Sequence, residues 1–383
     1  MGVKSIGKLK EVFTHSGLLV AGAAAFSMST LFSAMKPVLL TRFVEETGSG
    51  ESLAGLVVAM PFAGIAAASL VLKPVLRHLG LHQMVLVFGG MLILLELFSA
   101  FFFNYHGALL IAQFIGGVSV GVLMGATSRI VATTDLPDEI FGFVDMSAVF
   151  LMSFMIAGVG AAVGLYGLQG GYLFAALAAL IYTALMLPYQ EAETAHFEKK
   201  SVVAPLEFGI RPLSVIFMGV LFVTSSGLGF AFLFTKALDL GMGYSIAGSF
   251  IGGLVLVSAF ACLVGGWCGG RFGPFRPLAA AFITCALGWW VAINAHSQLV
   301  FMLALVPAIF SLQFNFPVLL ALAGSLDVDG RWAAVATPLI TSGFAWAAIA
   351  AGLIVSQWDV AALGTATVVG MFVCLLLLVP SRP

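Results

Sequence analysis

Ser52-Leu53-Ala54-Gly55 returns 193 residues further on as Ser245-Ile246-Ala247-Gly248, and the same shift carries Gly80 onto Gly273. Each tetrapeptide opens a long apolar run and each glycine lies in the loop after it, so the two markers keep one register across a whole helix. The chain therefore reads as a duplication, with halves at residues 1–190 and 211–383 and a polar linker at 191–210. Parallel halves related by an axis along the membrane normal place a solute path between them, near the midplane.

The apolar runs set the environment. Of 383 residues, 61% are hydrophobic and 9% charged, and the runs repeatedly reach the ~20 residues a helix needs to cross a hydrocarbon core. Twelve can be drawn, at residues 17–41, 53–72, 84–103, 107–131, 143–166, 169–189, 211–236, 245–268, 278–295, 299–323, 333–355 and 360–380. A helix is the natural spanning element because it satisfies its own backbone hydrogen bonds where water is absent. The expected fold is all-α and polytopic, with twelve transmembrane helices in two pseudo-symmetric six-helix bundles.

Charge orients the array. Lys4, Lys8, Lys10, Lys73, Arg77, Arg129, Lys199, Lys200, Arg211, Arg271, Arg276, Arg331 and Arg382 fall on one side of the twelve spans, against Lys36, Arg42 and Lys236 on the other. Positively charged loops stay cytoplasmic, which places both termini and the linker inside; the expected location is the inner (plasma) membrane of a bacterium. An odd number of spans would break this 13 to 3 segregation. The Ala23-Ala24-Ala25 stretch could mimic a signal cleavage site, but the run continues apolar to Leu40, so no cleaved leader is expected. Ile6 stands where a myristoylation signal needs Ser or Thr.

Residues in the loops and spans resemble known motifs. Gly265-Gly266-Trp267-Cys268-Gly269-Gly270-Arg271-Phe272-Gly273-Pro274-Phe275-Arg276 resembles the signature loop of the major facilitator superfamily, G-x-x-x-D-R-x-G-R-R, with Gly270 at the Asp position. Its first-half counterpart, Leu76-Arg77-His78-Leu79-Gly80, keeps the glycine but has Arg77 and His78 where the family has Asp and Arg. Gln113-Phe114-Ile115-Gly116-Gly117, followed by Leu136-Pro137-Asp138-Glu139, is similar to the fourth-helix motif R-x-x-Q-G and its trailing P-x-E, with Gln113 in place of the Arg. Gly158 to Gly164 resembles the antiporter motif G-x-x-x-G-P, with Ala161 in place of the proline.

The resemblance implies that spans one, four, seven and ten line a central cavity. Helical spacing gives each a stripe: Phe26, Ser29, Ser33 and Lys36; then Gln113, Gly117, Val120, Met124 and Thr127; then Ser225, Gly229, Phe232 and Lys236. In span ten Ser311 and Asn315 share a face, while Gln313 joins them only if Pro307 and Pro317 distort the helix. Phe314 and Trp346 could add aromatic walls to those of Phe26 and Phe232. Polar atoms on one stripe call for water or a ligand; alternatively each serine bonds its own backbone or a neighbouring helix.

Charges within spans are sharper signals. Glu96, deep in span three, should be protonated or paired, since the low dielectric disfavours its charge, and it is the candidate proton-coupling site. The alternative is a structural interhelical hydrogen bond. Arg77, Gly80, Arg129, Asp145, Arg271 and Gly273 mark a cytoplasmic gate, in which Asp145 would pair with Arg77 or Arg129. Lys36 and Lys236 occupy equivalent outer ends of spans one and seven and, with Arg42, give the outer mouth a positive potential suited to a carboxylate. Alternatively both lysines snorkel to the surface.

The reading these features support is a secondary active transporter working by alternating access. No G-x-x-x-x-G-K-[ST] stretch exists, so the energy comes from a gradient. The leading variant is proton-coupled uptake of a small organic anion; the alternative is proton-driven efflux of lipophilic or drug-like compounds. A membrane enzyme would need clustered catalytic residues, whereas His15, His78, His82, His106, His196 and His296 are scattered, and only His78 and His82 form an i, i+4 pair. Cys262, Cys268, Cys285 and Cys374 lack ligand spacing. No enzyme activity, cofactor, metal or nucleic-acid partner is expected; the partners are a small-molecule substrate, a proton and the lipid bilayer, and the chain is expected to be a monomer.

Overall fold

A computed structural model describes residues 15–49, 51–189, 209–231, 233–242 and 244–381. All regular structure among them is helical, and eleven helices are long and apolar enough to cross a membrane. In the first half these are α1 (Ser16–Thr47), α2 (Glu51–His78), α3 (Leu81–Phe102), α4 (His106–Ala132) and the continuous stretch Pro137–Met186. At 50 residues that last stretch would run ~75 Å if straight, more than twice a hydrocarbon core. It folds back instead. The backbone leaves helical geometry at Tyr166 and Gly167, and the Phe174 ring lies against Gly158, from which a straight helix would hold it ~24 Å away. The two arms, α5 before the bend and α6 after it, bring the crossings to twelve.

The second half comprises α7 (Ile210–Ala231, resumed at Leu233–Asp239), α8 (Tyr244–Phe272), α9 (Phe275–Ile293), α10 (Gln298–Gly324), α11 (Arg331–Thr341 and Gly343–Gln357) and α12 (Val360–Leu377). Of the linker expected at 191–210, all but Gly209 and Ile210 lies outside the described residues.

Local chemistry fixes the ends. Gly167 has φ 60° and ψ −153°, a conformation essentially confined to glycine. Just beyond it both oxygens of Glu46 accept the Leu168 N–H at 3.1 Å, so the end of α1 caps the start of α6. Ser297 and Asp359 cap α10 and α12. Pro137, Asp138 and Glu139 open α5, a proline and two acids where the orphan N–H groups and the helix dipole favour them.

The repeat markers behave differently from each other. Each glycine lies in a two-residue connection, yet Gly273 turns the chain with φ 73° while Gly80 is extended at φ −74°, ψ 163°. Only the second connection requires glycine for its conformation.

Small residues let helices touch. Gly64, Gly117 and Gly121 bring the backbones of α2 and α4 together so closely that a side-chain carbon at any of them would collide with backbone of the other helix. One turn of α3, Val85–Gly89, is π-helical.

Candidate functional site

The halves meet at the end where the basic residues lie. There α8 packs on α5, and α11 packs on α2 and α4. Glycines make the seam. Gly142 of α5 faces the Cys262 carbonyl and Gly266 of α8; Gly266 and Gly269 face Asp138, and Gly270 faces Glu139. Gly125 of α4 faces the Ala334 carbonyl of α11, and Gly324 and Gly330 face Ala132. A hydrogen bond crosses the seam, and ion pairs within the second half flank it. Buried Arg129 donates through Nε to the Asp329 carbonyl oxygen at 3.0 Å, while Arg331 binds Asp327 at 2.8 Å and Asp329 at 3.6 Å. Asp327 also accepts the backbone N–H groups of Arg331 and Trp332, which caps α11 beside the first half.

The expected gate residues divide accordingly. Arg129 bridges the halves, as above. Arg77 is exposed at the end of α2, and Gly80 and Gly273 form the connections already described. Arg271 is exposed, its guanidinium 5.3 Å from the Trp267 ring centroid and 5.6 Å from that of Phe272. Asp145 pairs with neither Arg77 nor Arg129. It is buried in α5 with Oδ2 lacking a hydrogen-bond partner, within electrostatic reach of Cys262 in α8. The helical rise explains this: Asp145 is one turn deeper than Gly142, beyond the reach of arginines at the helix ends. Of the acids at this seam, Asp138 and Glu139 are signalled in sequence by the P-x-E-like element, and Asp327 and Asp329 by no motif.

Glu96 sits inside the first bundle, 1% exposed. It lies six residues before the end of α3 at Phe102, closer to the end opposite the basic seam than its span limits suggest. Gln113 of α4 donates through Nε2 to Ser99 Oγ at 3.1 Å and reaches Glu96 Oε1 at 3.5 Å. Ser99 in turn donates to the Leu95 carbonyl. Gly116 keeps α4 bare where Glu96 and Phe32 approach it. Glu96 Oε2 and the hydroxyl of Tyr172 are buried without partners.

The cavity stripes are distributed unevenly. Phe26 and Ser29 are buried and Ser33 is half-buried; Gly22 and Thr30, one turn either side of Phe26, contact α5 at Val144 and Ala148. The Lys36 side chain and the whole of Phe232 lie outside the described residues. Ser225 faces α12, where Gly370 abuts its hydroxyl and Thr367 donates to its carbonyl at 3.0 Å; Gly229 abuts the Trp289 ring of α9. Lys236 is half-buried in the last turn of α7. In α10 Ser311 donates to the Pro307 carbonyl, Gln313 is half-buried, and Asn315 is fully buried with both amide atoms unpartnered. Trp346 is 56% exposed on α11. Arg42, counted among the outer cations, lies 3.8 Å from Glu46, which offsets its charge.

Two bundles of six helices, joined by a glycine-lined seam at one end and holding a buried carboxyl in one of them, define a membrane transporter architecture. The sequence model of the Major Facilitator Superfamily matches residues 17–345, and the chain belongs to that family. No curated protein matches it in sequence. Solved structures similar to it include the transporter FucP in its outward conformation, 14% identical, with TM-score 0.73 over 95% of this chain and 98% of that one. The proton:xylose symporter XylE is 13% identical, with TM-score 0.74 over 95% and 94%. The human organic anion transporter MFSD10 is 17% identical, with TM-score 0.71 over 95% and 98%. The chain is an integral membrane transporter of small molecules, and its family and fold are those of secondary transporters rather than enzymes.

Proposed function

We propose that the chain imports a small organic anion together with a proton, by alternating access between the halves 1–190 and 211–383. The observation that carries the coupling is the Gln113–Ser99–Glu96 cluster: a carboxyl in the interior of a bundle, held on one oxygen and free on the other. A group so placed can take and release a proton without dismantling its surroundings. Asn315 supports a polar guest in the same way, since each unsatisfied buried amide group costs about 1–3 kcal/mol that a bound solute can recover. With Asn315 the proposed substrate site comprises Phe26, Ser29, Ser33, Lys36, Gln113, Ser225, Phe232, Lys236, Gln313 and Trp346; Ser311, its hydroxyl bound to the Pro307 carbonyl, lines a lateral cavity instead. Lys236, a half-buried cationic residue, supports an anion, and the neighbouring folds named a proton symporter and an organic anion transporter are compatible with both parts.

The seam at Arg129, Gly142 and Gly266 is the proposed cytoplasmic gate, shut here, with both termini cytoplasmic and the chain acting as a monomer in a bacterial inner membrane. A thermal-shift screen of organic acids, amino acids, sugars and lipophilic cations identifies the solute. In proteoliposomes with an imposed pH gradient, Glu96→Gln should then abolish accumulation of that solute but retain its exchange. Unchanged accumulation removes Glu96 from the mechanism. Lys36→Gln should raise the apparent Km for a carboxylate, and a screen that returns only lipophilic cations decides for efflux.

A further inference from the structure

Outside the seam, α8, α9 and α10 enclose a lateral cavity of about 540 Å³. Its walls are apolar, with Phe260 and Val264 on α8 and Phe310 and Phe314 on α10. The two hydroxyls within it, those of Thr284 and Ser311, are satisfied by the carbonyls of Ala280 and Pro307 in their own helices, so the interior asks for no polar guest. Phe260 and Val264 are at least half exposed, so the cavity opens sideways where the bilayer lies. From Phe260 to Phe272 it follows twelve residues of α8, ~18 Å, close to the ~15 Å depth of one leaflet's hydrocarbon.

Its basic end is charged. Arg276 lines the cavity there and is exposed, and Arg271 lies over the ring of Phe272, another lining residue. Among the described residues neither arginine has an acidic partner. Basic sites between transmembrane helices at the membrane surface select anionic headgroups, at about 1 kcal/mol per cation.

We propose that this groove binds one anionic phospholipid, with an acyl chain between α8, α9 and α10 and the phosphate held by Arg276 and Arg271. Because α8 also forms the seam, the lipid would brace the helix on which the gate closes. The site does not depend on the transported solute or the coupling ion.

Native mass spectrometry of the purified full chain, titrated with phosphatidylglycerol or phosphatidylcholine, tests this. Phosphatidylglycerol should be retained in preference, Arg276→Gln should weaken it about fivefold, and Arg271→Gln with Arg276→Gln should weaken it further. Ala280→Trp, which fills the groove one turn from Arg276, should remove the tightly held lipid while the arginines remain. Equal retention of the two lipids, or undiminished phosphatidylglycerol binding in the double arginine variant, overturns the proposal. It is also overturned if Ala280→Trp blocks tetraphenylphosphonium binding but spares the phospholipid, which would make the groove a path for lipophilic solutes.

Discussion

Gly142→Ala should open the seam. A methyl group there would stand 2.9 Å from the Cys262 carbonyl oxygen and 3.3 Å from Gly266 Cα, and both neighbours belong to the other half. Carbon atoms approach carbonyl oxygens to about 3.3–3.6 Å, so α5 and α8 must part by roughly half an ångström. Alanine also favours a helix over glycine by about 1 kcal/mol, but that gain is the same with the halves together or apart and cancels. The clash acts only when they touch. Overpacking costs about 1–3 kcal/mol, and the small overlap puts alanine at the low end, a shift of about fivefold toward the state open at this end.

Cys262 is the reporter: its backbone faces Gly142, it is fully buried, and Cys268→Ser removes the one thiol that is partly exposed. Maleimide labelling of purified protein should then run about fivefold faster in Gly142→Ala, and faster again in Gly142→Val. Gly252→Ala on the same helix as Cys262 is the control, since its added methyl meets nothing within 4 Å. Labelling that is unchanged in Gly142→Ala, or raised as much by Gly252→Ala, refutes the idea that this seam separates.

Further outcomes are expected. Gly167→Ala forces a side chain into a backbone region reserved for glycine and against Glu46, and should cost at least 1–3 kcal/mol, seen as a lower melting temperature. Asn315→Leu removes two unpartnered buried amide atoms and should raise the melting temperature while abolishing stabilisation by the solute; a drop in unliganded stability would show that the amide is already satisfied. A thiol introduced at Ser49 should react with an impermeant reagent added to intact cells and one at Ala195 should not, and the opposite pattern inverts the topology.

The crossings are legible in the sequence because a bilayer reads little beyond length and apolarity, and even the α5–α6 hairpin shows as two spans from its apolar length. The duplication is legible from Ser52 to Gly55 and Ser245 to Gly248 because residues that open equivalent helices meet equivalent constraints. Facing is harder. A helical wheel groups Ser225 with Gly229 but does not say which neighbour the group meets, and here it is α9 and α12. Glu96 can be singled out by its charge, yet its partners Gln113 and Ser99 depend on how α3 and α4 lie together. The ion pair expected of Asp145 fails because nearness along the sequence ignores the depth added by each helical turn.

The π-turn at Val85–Gly89 bears on how relatives are compared. Such a turn holds one residue more than regular helix needs, and each residue rotates the remainder of the helix by about 100°. Deleting one residue there would restore ordinary helix and leave Glu96 facing Gln113, because the wide turn absorbs the extra residue and keeps the helix beyond it in place. Counting from the loop at Gly80 to an acid would then misalign two homologues by one position. A single-codon deletion is therefore tolerated in that turn, whereas one in the regular helix between Gly90 and Glu96 would rotate the interior carboxyl away from Gln113 by about 100°.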